Sequence, residues 1–268
     1  MTDPSGLLEL AVDVARDAGD LLRSYAERRS LGVETKTSAT DPVSEADHAA
    51  ERLITQGLLA ARPDDGMLGE EAAADRTGTT GLRWVVDPLD GTVNFLYRYP
   101  QWCVSIACED EAGPVVGVVF APIPDECFVA VRGGGARLGD HELHVSAPPD
   151  LARTLVATGF AYESSTRADQ GRLVADLVTV TRDVRRGGSA ALDLAWTAAG
   201  RVDGYLEHGL NPWDWAAGRL LVEEAGGVVS SVSTVLGGRP RTGVIAGGRQ
   251  VHDDLARWLG ERGPSGVR

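Results

Sequence analysis

Trp84-Val85-Val86-Asp87-Pro88-Leu89-Asp90-Gly91-Thr92-Val93-Asn94-Phe95 carries a β-rich apolar run into two aspartates, a proline and a glycine. Its composition predicts a strand over 83–86 that delivers Asp87 to its end. Pro88 fixes a bend there, and Gly91 lets a ligand approach backbone without a side chain in the way. A helical turn starting at Gly91 and Thr92 would present free N–H groups and a positive dipole end, which suits an anion. Two carboxylates beside such a cradle would repel a phosphate and each other unless a cation stood between them. Hard oxygen donors suit Mg²⁺. Asp87 and Asp90 also read as ordinary turn caps, since Asp is common in Asp-Pro and Asp-Gly steps.

On either side of this stretch the hydrophobic period changes. Leu7, Leu10, Ala11, Val14, Ala18, Leu21, Leu22 and Tyr25 recur at helical spacing behind Asp3 and Pro4, which suit a helix start. A second helix is expected from Ser44, with Ala49, Leu53, Ile54 and Leu58 on its apolar face. Further strands are expected over 104–107, 115–120 and 128–131, with Gly133-Gly134-Gly135 as a hairpin turn rather than a dinucleotide fingerprint. Beyond Leu151 strands at 155–158, 204–207, 228–231 and 244–246 alternate with helices at 168–181, 190–199, from Asn211-Pro212 to before Gly226, and 251–259. The sum is a layered α/β fold with a mixed sheet, not a simple βαβ repeat. No repeat or Pro-rich linker divides it, so 1–268 is read as one domain with a loose tail at 263–268.

Apolar residues at 43% and charged residues at 24% are ordinary globular usage, and no run approaches the ~18 apolar residues of a membrane span. No signal or transit pattern is visible at the N-terminus, so a cytoplasmic location is expected. Cys103, Cys108 and Cys127 lie in apolar runs without CxxC pairing and read as reduced core thiols. A net charge of −13 argues against a broad nucleic-acid surface and for cations as partners. Of the 26 basic residues all but Lys36 are arginine, which reads either as genomic bias or as a position that needs an ammonium.

Three further acidic positions are ambiguous by themselves. Glu70 and Glu71 follow a short apolar run at Met67-Leu68, where a loop can turn carboxylates into a cleft, though exposed Glu pairs are common. Asp214 stands in the first turn of a helix between Trp213 and Trp215, where capping and function explain it equally well. Asp47 follows Ser44 by three residues and resembles a capping pair. Were it to meet the hydroxyl of Thr92 in space, the two would form a couple able to take a proton from attacking water. The five histidines form no HExxH pair, and Ser189 lacks a GxSxG setting.

Taken in order, Gly69-Glu70-Glu71, Asp87 through Phe95 and Trp213-Asp214-Trp215-Ala216-Ala217-Gly218 resemble the signature regions of the inositol monophosphatase family. Asp41 through Asp47, His144-Val145-Ser146 and Arg186 through Ala191 extend the resemblance over nearly the whole chain. It implies an αβαβα sandwich of the sugar phosphatase type and a magnesium-dependent, lithium-inhibited phosphomonoesterase, acting as a homodimer on a small phosphorylated polyol or sugar. By position, Glu70, Asp87, the Leu89 carbonyl, Asp90 and Asp214 fall on metal ligands, and Asp47, Glu70 and Thr92 on catalytic residues. Lys36, Asp90, Gly91, Thr92, Gly188, Ser189, Ala190 and Glu207 fall on substrate contacts. Val93-Asn94-Phe95 is closer to inositol phosphatases than to relatives with Lys or Arg after the Thr. The alternatives are the same chemistry on fructose 1,6-bisphosphate, a nucleotide 3′-phosphate or histidinol phosphate, and a non-catalytic binding role in an assembly.

Overall fold

Asp3 accepts from the Ser5 amide and Pro4 opens helix α1 (Pro4–Ala26), as the capping pattern predicts. The computed structural model describes residues 3–27, 33–35, 42–71 and 75–261. After α1 come a small pair of strands, β1 (Val33–Thr35) and β2 (Pro42–Ser44), then α2 (Glu45–Ala61) and β3 (Gly66–Gly69). The motif strand β4 (Arg83–Asp90) leads into a short helix, α3 (Thr92–Leu96). A meander completes this half: β5 (Cys103–Asp110), β6 (Gly113–Ala121), β7 (Glu126–Val131), β8 (Gly135–Leu138) and β9 (His141–Glu142). Strands β3 to β9 form one sheet in chain order, antiparallel except for the β3–β4 pair.

The second half contains β10 (Leu155–Ala157), α4 (Ser164–Val180), β11 (Asp183–Arg185), α5 (Ala190–Ala198), β12 (Gly204–His208) and α6 (Pro212–Glu224). It ends with β13 (Val228–Leu236), β14 (Arg239–Gly247) and α7 (Arg249–Gly260). Its sheet has the order β11-β10-β12-β14-β13 and mixes parallel and antiparallel pairs. The hydrophobic pattern alone implies a mixed sheet without its partner, because periodicity marks a strand's faces but not its neighbours. The two sheets agree with the αβαβα sandwich that the family resemblance implies.

Five layers follow from period-2 alternation. Trp84, Val86, Val104, Ile106, Val118 and Phe120 turn one face of the first sheet toward α1 and α2. Val85, Ala107 and Val119 turn the other face toward α5 and α6, which also receive Tyr205, Val244 and Ala246 from the second sheet. The far face of that sheet, with Val156, Leu206 and Ile245, is covered by α4 and α7. Small residues make the central layer thin enough. A Cβ on Gly218 would lie 2.6 Å from Leu194, and one on Gly117 would lie 3.0 Å from the Ala217 carbonyl.

Four of the expected elements depart furthest from their expected bounds, and the short strands β1, β2, β3, β8, β9 and β11 do not follow from the hydrophobic pattern. Strand β4 continues through Pro88 to Asp90, with Asp87 opposite Ser105 and Asp90 opposite Cys103. Pro88 therefore occupies a bulge, where its missing N–H breaks no ladder bond. Helix α4 begins at Ser164 because the Glu163 carboxylate caps the amides of Ser165 and Thr166. Strands β13 and β14 extend well beyond 228–231 and 244–246 as a long hairpin whose turn uses Gly237 and Gly238 at φ 56° and 76°. Its outer part is only half-buried, so it lacks the apolar run that marks a strand in sequence.

Candidate active site

The bulge at Pro88-Leu89 aims both motif aspartates at one cavity of about 190 Å³. Asp87 bonds back to the Leu89 amide at 2.9 Å, which turns the Leu89 backbone into the cavity wall. Gly91 follows at φ 99°, a conformation that costs other residues strain, and a Cβ there would lie 3.1 Å from the Gln101 carbonyl. Thr92 opens α3 just beyond it.

Asp47 and Thr92, forty-five positions apart in the chain, meet at this wall, Thr92 lining it and Asp47 buried behind. The Thr92 hydroxyl lies 2.9 Å from the Asp47 carboxylate and 3.2 Å from the Leu89 carbonyl. Asp47 is fully buried in the first turn of α2. Asp214, in the first turn of α6, both caps that helix and faces the cavity. One carboxylate oxygen accepts from the Asn211 amide at 2.6 Å, and the side chain lines the same cavity as Glu70, Asp87 and Asp90.

These acids sit close together with little positive charge near them. Burial, followed by the charges of Glu70, Asp90 and Asp214, pushes Asp87 well above the usual carboxylate range, and it shares a hydrogen bond with Glu70. Burial, then Asp90, likewise raises Asp214. Asp90 is pushed up to about 6 by burial, against hydrogen bonds from the Ser189 hydroxyl at 2.8 Å and the Ala191 amide at 2.7 Å. Among the described residues no three acidic, imidazole or thiol groups converge closely enough to hold a metal ion by themselves. The acids instead stand in need of protons or a cation. The donors facing the cavity are carboxylates and carbonyls without thiolate, and the His208 imidazole is engaged 2.8 Å from the Thr234 hydroxyl. That donor set fits a hard divalent cation.

The family model of the inositol monophosphatase family matches residues 3–261. The chain belongs to the inositol monophosphatase family. Among its relatives are an inositol-1-monophosphatase of Rhizobium meliloti, 45% identical over 88% of each chain, and the Nus factor SuhB of Escherichia coli, 42% identical over 84% of each. The crystal structure of extragenic suppressor protein suhB from Bartonella henselae superposes with a TM-score of 0.86 at 39% identity, covering 95% of this chain and 98% of that one. As an inositol monophosphatase family member the protein is a phosphatase, and its αβαβα layering is that of the family's solved structures.

The remaining positions expected from sequence divide. Gly188, Ala190 and Glu207 line the cavity with the metal-ligand candidates. Ser189 lines it too, but its hydroxyl is directed to Asp90 and the Cys103 sulfur rather than left open for a ligand. Lys36 lies outside the described residues. All three cysteines are buried and unpaired, with burial raising Cys108 to about 12 and Cys127 to about 11.

Three residues to which the sequence assigns no role take part. Asn94 donates to the carbonyls of Gln101 at 2.6 Å and Gly187 at 2.9 Å, fastening the 187–189 loop to the motif. Asp193 is buried on α5, raised by burial and by Glu207 and Asp90, with Arg186 opposing. A lone acid inside the apolar run 190–199 was the available signal. Arg186 lines the cavity as its nearby cation.

Proposed function

We propose that the protein is a magnesium-dependent phosphomonoesterase that hydrolyses inositol monophosphate to inositol and phosphate. The observation that carries the reading is one cavity lined by Glu70, Asp87, Asp90, Thr92, Glu207 and Asp214 together, with Asp47 behind Thr92 and bonded to its hydroxyl. Glu70, Asp87, the Leu89 carbonyl, Asp90 and Asp214 would hold Mg²⁺. When bound, the ion supplies Lewis acidity toward the phosphate oxygens, the attacking water and the leaving alkoxide.

The chain's own residues do the rest. The Thr92 hydroxyl donates its hydrogen bond to Asp47, which leaves its lone pairs free to accept from a water and hold it for in-line attack on phosphorus. As that water's proton passes to Thr92 Oγ1, the Thr92 proton passes on to Asp47. Asp47 is the acceptor toward which that water's proton moves. Gly91 and Thr92 offer backbone N–H groups to the phosphate. Glu207, held by the Tyr205 hydroxyl at 2.7 Å, keeps one carboxylate oxygen for ring hydroxyls. In the metal-free protein burial raises Glu207 to about 7.

The test is phosphate release from a panel of monoesters with and without Mg²⁺. Inositol monophosphate should give the highest kcat/KM, and only with the ion. Flat signals from folded protein with every ester would end the enzyme reading. A second reading, a binding role in an assembly beside catalysis, is favoured by the Escherichia coli relative being a Nus factor. Lithium inhibition, a homodimer, a single catalytic domain and a cytoplasmic location belong to the same proposal. Its support is the family resemblance and, for location, that no described helix is long and apolar enough to cross a membrane.

A further inference from the structure

Two segments wall the cavity around Glu207: residues 159–162, after β10, and residues 207–211, at the end of β12 and beyond. Strands β10 and β12 run parallel and pair through Val156 with Gly204 and Ala157 with Tyr205. Past that point their backbone pairing ends, at the carboxyl ends where a ligand crevice opens in such sheets. Side chains close the gap instead. The Thr158 hydroxyl donates to the Leu206 carbonyl at 2.6 Å. Next, Gln170 of α4 accepts from the Ala161 amide at 2.8 Å and donates to the His208 carbonyl at 3.1 Å.

Gln170 is only 2% exposed and lies outside the cavity lining, so it has no route to a substrate. Its amide stands in for a missing rung of the ladder. That position requires a group that gives on one side and takes on the other, which a carboxamide does and an aliphatic chain does not. The dimension it controls is tight: a Cβ on Gly159 would lie 2.1 Å from both Glu207 carboxylate oxygens. Helix α4 itself is held by other contacts, through buried Leu173 and Leu177 and the bond from Arg241 to the Thr166 hydroxyl at 2.7 Å.

We infer that Gln170 is a positioning residue that sets the separation of the 159–162 and 207–211 walls, and with it the presentation of Glu207 to a polyol ester. The inference rests on the reading of Glu207 given above. It predicts a defect confined to esters that reach Glu207.

Gln170→Met keeps length and removes both bonds, whereas Gln170→Glu keeps an acceptor for Ala161. In the full chain with Mg²⁺, KM for inositol 1-phosphate should rise about 5- to 10-fold in the Met variant, the loss expected for buried neutral hydrogen bonds. Its kcat should change less than about twofold, and both constants for 4-nitrophenyl phosphate should stay at wild-type values. Hydrogen exchange in peptides covering 159–162 should quicken. The Glu variant should show the same selective KM shift, smaller in size, and carries the test if the Met variant fails to fold. Equal losses on both esters, or none on either, overturn the inference alone. A wild-type protein with no preference for the polyol ester overturns the functional reading, and this inference with it.

Discussion

Strand β4 has a buried aspartate beside each of its ends, and the two are treated in opposite ways. Near its start, Asp65 accepts from Arg62 at 2.9 and 3.1 Å, from Thr80 at 2.6 Å and from the Trp84 indole at 3.1 Å. Burial pushes that carboxyl up, but these donors outweigh burial and hold it below its ordinary value. At the far end Asp87 and Asp90 are raised, first by burial and then by the charge of neighbouring carboxylates, with no described arginine bonded to them to offset it. A buried acid with donors on both oxygens is finished as structure. Buried acids that face one another are unfinished, and the missing component is a cation or a proton.

The comparison breaks most readily at Asp90. Asp90→Asn should lower kcat by about 10³-fold or more, since a ligand of the proposed ion is lost along with several kcal/mol of charge stabilisation. Its thermal midpoint without metal should stay level or rise slightly. Normal turnover would remove Asp90 from the ligand set. Asp47→Asn should cost about 10²-fold or more in kcat with Mg²⁺ affinity little altered, the loss typical of a general base. Parallel losses in affinity and rate would instead make Asp47 part of the metal site.

Asp65→Asn is the converse variant. Removing a buried, multiply bonded carboxylate should cost about 2 kcal/mol of folding stability by denaturant titration, with kcat and Mg²⁺ dependence unchanged. A smaller effect separates the two ends by pH. The Asp90 carboxyl stands at about 6 in the folded, metal-free protein against an ordinary value near 3.8, so the native state holds the proton more tightly. Stability from this group is greatest at low pH and falls as pH rises from about 4 to about 6. Asp65, with a lowered value, contributes above its ordinary range and loses that contribution as pH falls through its folded value. Melting curves without metal should therefore decline less over pH 4 to 6 in Asp90→Asn than in wild type. An unaltered slope would show that the decline comes from other groups.

Sequence alone determined the elements with strong periodicity: α1 behind Asp3-Pro4, the apolar strands of the first sheet and the helix start at Asn211-Pro212. It also marked Asp87, Asp90, Gly91 and Thr92, because bend, backbone access and paired acids stand in one short stretch. What depended on distance through space was not legible there. Periodicity says which face of a strand is apolar but not which strand lies beside it, so the two sheets and the bulge at Pro88 emerge only on folding. Asp47 and Asp214 each carry a sufficient local explanation as helix-start acids, and only tertiary packing sets them beside Thr92 and Asp87. Gln170 and Asp193 give weaker signals still, since a polar residue on a helix reads as solvated until packing buries it. The local chain encodes faces and turns, whereas the charge each acid meets in the fold is a property of the neighbours that tertiary structure supplies.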